Sequence, residues 1–468
     1  MTKQAFNPYL PSWEYIPDGE PHVFGDRVYV YGSHDFYNGY VFCMGDYVCW
    51  SAAVADLSNW RCEGVIYGKT QDPFNKDGSM CLYAPDVTQG PDGRYYLYYV
   101  LDKVSVISVA VCDTPAGKYE FYGYVHHADG VRLGDGPKDE PQFDPAVLTE
   151  GEKTYLYTGF CSRGDQSRHG AMVTVLEADM LTIAEGTRFV APSAPYSAGS
   201  GFEGHEFFEG PSIRKYKDTY YFVYSSVLMH ELCYATSKNP VEGFHYGGVI
   251  ISNCDLGIDS YKPAWVPATY GANNHGGMAE IEGKWYIFYH RHTNGTWYSR
   301  QGCAEPINIL ADGRIQQVEM TSCGLNGGAL RGEGEYPAYL ACALHGKDDE
   351  SYLVGPHYPK IMQDGKDGDE EQGYVANIVD GTRIGFKYFD CQNVTELILT
   401  CRGYANGSFQ IKNAWDGQVL ATVSVEYTNV WKQYAVPVQI PDGKQEIYLD
   451  YVGDGNTSLK SIEFITKP

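Results

Sequence analysis

The sequence predicts an all-β protein, a five-bladed β-propeller followed by a β-sandwich of jelly-roll type. A Tyr-rich alternating run recurs five times at near-constant spacing. Aromatic residues make up 15% of the chain, with 41 Tyr against 19 Phe, which leans towards β structure. The last part of the chain reads as a string of short alternating strands.

The recurring run begins in a turn with Gly or Asp and continues with residues that alternate. Its copies are FGDRVYVYGS (24–33), PDGRYYLYYV (91–100), EGEKTYLYTG (150–159), YKDTYYFVYS (216–225) and IEGKWYIFYH (281–290). With Arg27, Arg94, Thr154, Thr219 and Trp285 as matching points, the intervals are 67, 60, 65 and 66 residues. Each holds roughly four short strands, one propeller blade. A solenoid, or a sandwich with coincidental hairpins, is the competing architecture, and five evenly spaced copies favour the propeller. QGCAEPINIL (301–310) and GRIQQVEMTS (313–322) are expected to complete the ring, so the first domain spans 1–325 and closes near residue 325.

Residues 326–372 change character. GLNGGALRGEGEYP (324–337) is glycine-rich, and HGKDDE (345–350) and QDGKDGDEEQG (363–373) are charged and turn-like, so this stretch reads as a linker and the start of the second domain. The sandwich is expected over 373–468, with strands such as RIGFKYFD, ELILTCRGY, SFQIKNAW, VLATVSVEY, KQYAVPVQI and KQEIYLDYV.

At 468 residues with 43% hydrophobic content, the chain can fill two or more cores. The formal charge of −24 argues against nucleic acid or an anionic membrane as partner and favours a neutral one. No apolar run approaches a membrane span, and MTKQAFNPYL lacks the basic and apolar regions of a secretory signal. Thirteen cysteines without CxxC pairs read as free thiols in a reducing compartment, so the expected location is cytoplasmic.

The innermost strand of each blade lines the central channel, so residues at matching blade positions converge. Counting back from the matching points gives Asp18, Asp86, Asp144, Glu209 and His275, at eight to ten residues' distance. An acid beside Pro or Gly is often a turn residue capping its own backbone. Five titratable groups in register are better explained by a shared site. Clustered carboxylates in an aromatic-rich, uncharged pocket suit glycosidic bond cleavage, which needs one protonated acid and one ionised carboxylate. Glu209 has the longer reach and lies between Phe207, Phe208 and Gly210, where desolvation raises its pKa, so it is the expected proton donor. Asp18, on another blade, is the expected ionised partner, and Asp144 the negative charge that keeps the donor's proton on. Glu206 falls off the aligned position, as a subsite or rim residue. The alternative for these acids is a hard-cation site in the channel, with calcium held through His275.

NPYLPSWEYIPD (7–18), CLYAPDV (81–87), QFDPAVL (142–148), FFEGPSI (207–213) and NNHGGMAEIEGKWYIFYH (273–290), in this order, resemble glycoside hydrolase family 43, whose members are five-bladed propellers. The resemblance covers about the first 325 residues. It implies an inverting mechanism with Asp18 as general base, Asp144 as the aspartate that tunes and orients, and Glu209 as general acid. It also implies His275 as the channel histidine linked to calcium or water, Arg300 of YSRQG as a substrate contact, and Asp86 as a structural or substrate-positioning aspartate. Tyr83 stands where many members have Trp. Tyr83 and Phe143 are candidates to stack on the sugar, the alternative being core packing.

The C-terminal region resembles a family 6 carbohydrate-binding module. Such modules often carry a tryptophan near the last strand, and SLKSIEFI (458–465) has none, so the usual ligand site is expected to be lost. Trp415 and Trp431 remain, Trp431 as a core position, and the module is expected mainly to pack against the propeller. The expected function is exo-acting release of xylose, arabinose or both from the non-reducing end of xylo-oligosaccharides or arabinoxylan fragments. The alternatives are an arabinanase, or a non-catalytic carbohydrate-binding propeller with a metal in its channel.

Overall fold

The computed structural model describes residues 3–347 and 358–467. Each Tyr-rich run forms the second strand of an antiparallel blade, and the turn before it joins it to the inner strand. Blade one is β1 (Glu20–Phe24), β2 (Arg27–Tyr31), β3 (Tyr47–Ala53) and β4 (Asp56–Tyr67), hydrogen-bonded in that order. Blade two is β5 (Leu82–Gln89), β6 (Tyr95–Leu101), β7 (Ser108–Cys112) and β8 (Glu120–Tyr124). Blade three is β9 (Ala146–Glu150), β10 (Lys153–Thr158), β11 (Gly170–Leu176) and β12 (Ile183–Pro192). Blade four is β13 (Phe207–Tyr216), β14 (Thr219–Ser226), β15 (Glu231–Ser237) and β16 (His245–Ser252). Blade five has three strands, β17 (Met278–Ile281), β18 (Lys284–Arg291) and β19 (Gln301–Ile307). The expected strand over 313–322 is absent, leaving isolated bridges such as Ile309 to Ile315 and Ile251 to Val318. The chain's first residues lie beside β19 instead: Tyr9 N–H donates to Gly302 O at 3.2 Å, and the Asn7 side chain exchanges hydrogen bonds with the Ala304 backbone at 2.9 Å in both directions.

Alternation explains why these strands need large residues on both faces. In β6, Leu97 and Tyr99 pack with Tyr31 and Cys49 of blade one, while Tyr98 and Val100 pack with Val147 and Leu156 of blade three. Equivalent cores join blades three to four, four to five and five to one, so the ring is closed. Tyrosine serves here because its hydroxyl reaches a loop acceptor past the apolar layer. Tyr98 donates to Met180 O at 2.7 Å, Tyr31 to Pro115 O at 2.7 Å, and Tyr224 to His205 O at 2.7 Å. Removing a ring such as Phe222, buried between blades three and four, costs about 3–5 kcal/mol by the usual scale for aromatic truncation.

The second body is one ten-stranded sheet curled on itself. Two long strands, β26 (Val394–Lys412) and β29 (Gly443–Thr466), pair along almost their whole length. β25 (Arg383–Cys391) pairs with the first half of β29, yet Phe389 of β25 meets Phe464 of its second half with ring centroids 4.6 Å apart. The two halves of the ribbon thus face each other across one core. β24 (Tyr374–Ile378), β27 (Ala421–Val425) and β28 (Thr428–Pro437) complete the layers.

The stretch read as linker adds four short strands to this body, β20 (Leu330–Arg331), β21 (Gly334–Pro337), β22 (Ala343–His345) and β23 (Lys360–Met362). It buries Leu330, Leu340, Leu344 and Ile361. Residues 348–357 of that stretch, with the DDE of HGKDDE, lie outside the described residues.

The second body packs on the propeller. Trp415 is buried against Tyr261 of the propeller and Tyr448 of the sheet, and Arg291 donates to the carbonyls of Ala341 and Cys342. Lys387 joins Asp255 and Glu319 across the same boundary, at 3.4 and 2.8 Å. Trp431, expected in the core, is half-buried on the sheet's outer face, with Arg402 4.2 Å above its ring and Tyr374 beside it. The alternation is real, but in β28 the larger ring sits on the face that a cation covers.

Candidate active site

The propeller's inner strands start at one end of the channel, and the residues at or just before those starts meet there. Asp18 and Asp144 each lie two residues ahead of an inner strand, with φ of 56° and 43°. Asp tolerates this left-handed conformation better than most residues. Gly210, at φ 63°, is required, because a Cβ there would lie 2.9 Å from the His275 ring. A cavity of about 320 Å³ opens at this point, bordered by Asp18, Asp144, Glu209, His275 and Arg300.

Asp18 is the most heavily solvated by protein. Arg300 Nη1 donates to its Oδ1 at 2.9 Å and Ser33 Oγ to its Oδ2 at 2.6 Å, while His290 Nδ1 lies 3.4 Å from Oδ1. Burial pushes Asp18 upward, but the Arg300 guanidinium and the Ser33 hydroxyl hold it below the ordinary aspartate value. Arg300 is 2% exposed and cannot swing: Nε and Nη2 form a fork on Asp35 at 2.8 and 3.1 Å, and its own backbone N–H donates to Asp35 at 3.1 Å. Such bidentate geometry is specific to guanidinium.

Glu209 and Asp144 face the opposite situation. Burial and the Asp18 charge raise Glu209 to about 7, against the lowering pull of Arg300 and an Asn273 hydrogen bond. Burial, then Glu209 and Asp18, push Asp144 well up, although Gly210 N–H donates to its Oδ2 at 3.2 Å. Two neighbouring buried carboxyls repel, so near neutrality the pair holds a proton. Asp144 is buried, whereas Glu209 is half-buried and open to the cavity. The proton that can reach a ligand is therefore Glu209's. His275 lies 3.9 Å from both Asp18 and Asp144, and burial lowers its pKa, so it stays neutral.

One wall of the cavity is aromatic. Tyr83, Phe143, Phe160 and Phe208 follow each other edge to face or tilted, with centroid distances of 5.6, 5.5 and 5.2 Å. Each is half-buried and borders the cavity, so Tyr83 and Phe143 present ring surface to a ligand as well as to one another. Phe42 and Trp297 close another side.

Asp86 is the exception among the aligned acids. It does not border the cavity, and Ala84 does. Strand pairing gives the reason: Asp86 lies opposite Tyr98 as Glu20 lies opposite Tyr31 and Ser212 opposite Val223, one layer deeper than Asp18. The turn before Arg94 is one residue longer than in blades one and four, with Gly90 bonded to Arg94 where Phe24 pairs with Arg27 and Tyr216 with Thr219, and this hid the offset. Asp86 is fully buried, accepts from Val87 and Val147 N–H at 2.8 Å, and pairs with His22 at 2.6 Å. Its role is to tie blades one, two and three, not to touch a substrate. Glu206 is also turned away, accepting from Ser197 Oγ at 3.1 Å.

The sequence reading passed over Asp35, His290, Asn273, Phe42 and Trp297. His290 ends the fifth repeat copy and Asp35 follows the first by two residues, so both lay at flagged positions. Among the described residues, two groups have three ligand atoms close enough for a metal, Glu20 with His22 and Asp86, and His205 with Glu231 and Cys233. Neither includes His275 or the cavity carboxylates.

A propeller whose channel mouth holds an ionised aspartate and a protonated glutamate beside an aromatic wall has the parts of an acid–base hydrolase of sugars. The chain belongs to Glycosyl hydrolases family 43, whose sequence profile matches residues 17–315. It is a glycoside hydrolase. A xylosidase/arabinosidase of Thermoclostridium stercorarium is 66% identical over 472 residues, covering 100% of both chains. A family 43 β-xylosidase/α-arabinofuranosidase from a compost microbial metagenome, solved with xylotriose in a calcium-free form, shares 26% identity at a TM-score of 0.53, over 68% of this chain and 98% of its own. An arabinoxylan arabinofuranohydrolase of Bacillus subtilis, solved with cellotetraose, is 21% identical with a TM-score of 0.53 over 98% of this chain and 97% of its own, a likeness of fold that includes the second body.

Proposed function

We propose that the chain is an inverting, exo-acting glycosidase that releases xylose, arabinose or both from the non-reducing ends of xylo-oligosaccharides or arabinoxylan fragments. The observation that carries this reading is the split between two carboxyls of one cavity, Asp18 held ionised by Arg300 and Glu209 held protonated by burial. Glu209 gives its proton to the glycosidic oxygen as the C–O bond breaks. Water attacks the anomeric carbon from the other face and yields its proton to Asp18, so the anomeric configuration inverts. Asp144, itself pushed well up by burial, shares the pair's proton with Glu209 in place of the standing negative charge expected from the sequence, and through Gly210 N–H it fixes the backbone next to Glu209.

The cavity volume, about 320 Å³, lies at the low end for ligand pockets and favours a chain end over the middle of a polymer. The names and bound sugars of the relatives support pentose substrates. Thirteen unpaired cysteines support the expected reducing, cytoplasmic setting.

The relative solved in a calcium-free form raises the question of calcium. Here Asp18 is already taken up by Arg300 and Ser33, and Asp144 by Gly210, so among the described residues no protein-built oxygen cage surrounds His275. The donors left over are the His275 imidazole and Glu20 Oε1, a buried oxygen of the inner-strand layer below without a hydrogen-bond partner. The free imidazole of His275 fits an ion that keeps most of its water, and such an ion would supply positive charge to the channel.

Turnover of aryl β-xyloside and aryl α-L-arabinofuranoside, with NMR of the first-formed anomer, tests the reading. Turnover of neither, or retention of configuration, would overturn it.

A further inference from the structure

The second body touches the propeller at the two loops that build the wall around Arg300. One is loop 34–45, which carries Asp35, Phe42 and Cys43. The other is loop 291–300, which carries Trp297 and ends in Arg300. From the second body, Asp367 Oδ1 accepts from the backbone N–H of Tyr37 at 2.6 Å, and the Gln363 backbone meets the Tyr37 hydroxyl from both sides, at 3.2 and 3.3 Å. Tyr37 is buried and stacks on Tyr15, whose carbonyl accepts from Asp35 N–H at 3.0 Å. On the other loop, Ile361 N–H donates to Thr293 O at 2.7 Å and the Asn294 side chain donates to Ile361 O at 2.8 Å.

We propose that segment 360–373, through Asp367 and Gln363, positions the active-site wall, and that the second body acts on catalysis by holding Asp35 and Arg300 where Arg300 meets Asp18. The inference rests on the role of Asp18 as base proposed above. Neither Asp367 nor Gln363 borders the cavity, so they are positioning residues. The path is short: Asp367 fixes Tyr37, Tyr37 lies two residues from Asp35, and Asp35 holds both the guanidinium fork and the backbone N–H of Arg300. The segment is stiff enough to transmit this. Lys366 N–H donates to Asp369 at 3.0 Å, Gly365 N–H to Glu371 at 3.0 Å, and the Gln363 side chain closes the turn on Lys366 O at 2.8 Å. This gives the second body a role in the reaction that needs no sugar-binding site of its own.

The readout is the acidic limb of the pH–rate profile. Asp18 is faced by Arg300, His290, His275 and the Ser33 hydroxyl, and by the carboxyls of Asp35, Asp144 and Glu209. Loosening Arg300 leaves the three acids and removes the main cation, so the pH at which the base loses activity moves up. Asp367 is exposed, so its replacement leaves the fold intact.

Asp367→Ala and Asp367→Asn are compared with the wild type on a small aryl β-xyloside, a substrate too short to bridge to a distant polysaccharide site. The expected result is a fall of about tenfold in kcat/KM for Asp367→Ala, the scale of one lost hydrogen bond to a charged group. Its acidic limb moves to higher pH, and Asp367→Asn, which keeps an acceptor oxygen, restores most of both. Unchanged kinetics, a change in melting temperature alone, a loss without movement of the acidic limb, or a loss shared by Asp367→Asn would overturn the inference. Wild-type turnover in the same assay separates this from failure of the glycosidase reading.

Discussion

Arg300 Nη1 lies 2.9 Å from Asp18 Oδ1, joining the last blade to the first at the bottom of the cavity. Its other edge is fixed on Asp35, so a buried cation is aimed at the one carboxylate that must stay ionised. Arg300→Lys keeps the charge but cannot form the fork and reach Asp18 together. The expected loss in kcat/KM is about 10²-fold, in the range seen on removing one preorganised electrostatic donor. Asp18 loses its strongest stabiliser, so the acidic limb of the pH profile moves up. Steady-state kinetics across pH 3–7 check both.

Glu209→Gln removes the proton donor and keeps the shape. The expected fall in kcat is on the order of 10²–10⁴, and smaller for aryl substrates whose leaving group needs no proton. Stability moves the other way. Glu209 is raised to about 7, so between the ordinary glutamate value and pH 7 the folded state binds a proton that the unfolded chain does not. Wild-type stability therefore falls as pH rises through that window. Glu209→Gln should melt at the same temperature as wild type near pH 4 and a few degrees higher at pH 8, on the scale of about 2 °C per kcal/mol for a domain this large.

Asp144→Asn removes one carboxyl of the pair, and with it the repulsion by which the Glu209 charge pushes Asp144 up. The Glu209 proton is then held less tightly, and the basic limb of kcat/KM, near pH 7 in the wild type, shifts to lower pH. A basic limb that stays in place or moves up in pH–rate measurements would contradict the coupling.

Asp86→Ala separates the deeper layer from the cavity. It strands the N–H groups of Val87 and Val147 and the His22 ring. Thermal unfolding should show a loss of about 1–3 kcal/mol, the cost of unpaired buried polar groups. The kinetics of the surviving folded enzyme should stay within about twofold of wild type, because the carboxylate does not border the cavity.

Much of the fold was legible because both faces of each second strand are buried, which forces the Tyr-rich runs into every blade. Glu209, Asp18 and Asp144 were legible for the same reason, since the repeat fixes where inner strands begin. Asp86 fell into the aligned set because the turn between β5 and β6 is one residue longer than its counterparts, and the repeat pattern does not show turn length. Asp35 and the aromatic ring of Phe42 sit on a loop between strands, where no period constrains position. The strands of 330–362 were hidden because two to four residues are too few to show an alternation.

The three-stranded fifth blade, with Asn7 and Tyr9 against β19, also sets an order of events. The Asn7 contact to Ala304 spans 297 residues, and the Arg300 contact to Asp18 spans 282. Contacts so far apart in the chain form late, after the local hairpins. A nascent chain can fold blades one to four as they emerge, but it holds a base with no cation beside it until the final blade meets the first. On the roles proposed for Asp18 and Arg300, catalytic competence would arrive together with ring closure, and a chain truncated before Arg300 is expected to be inactive.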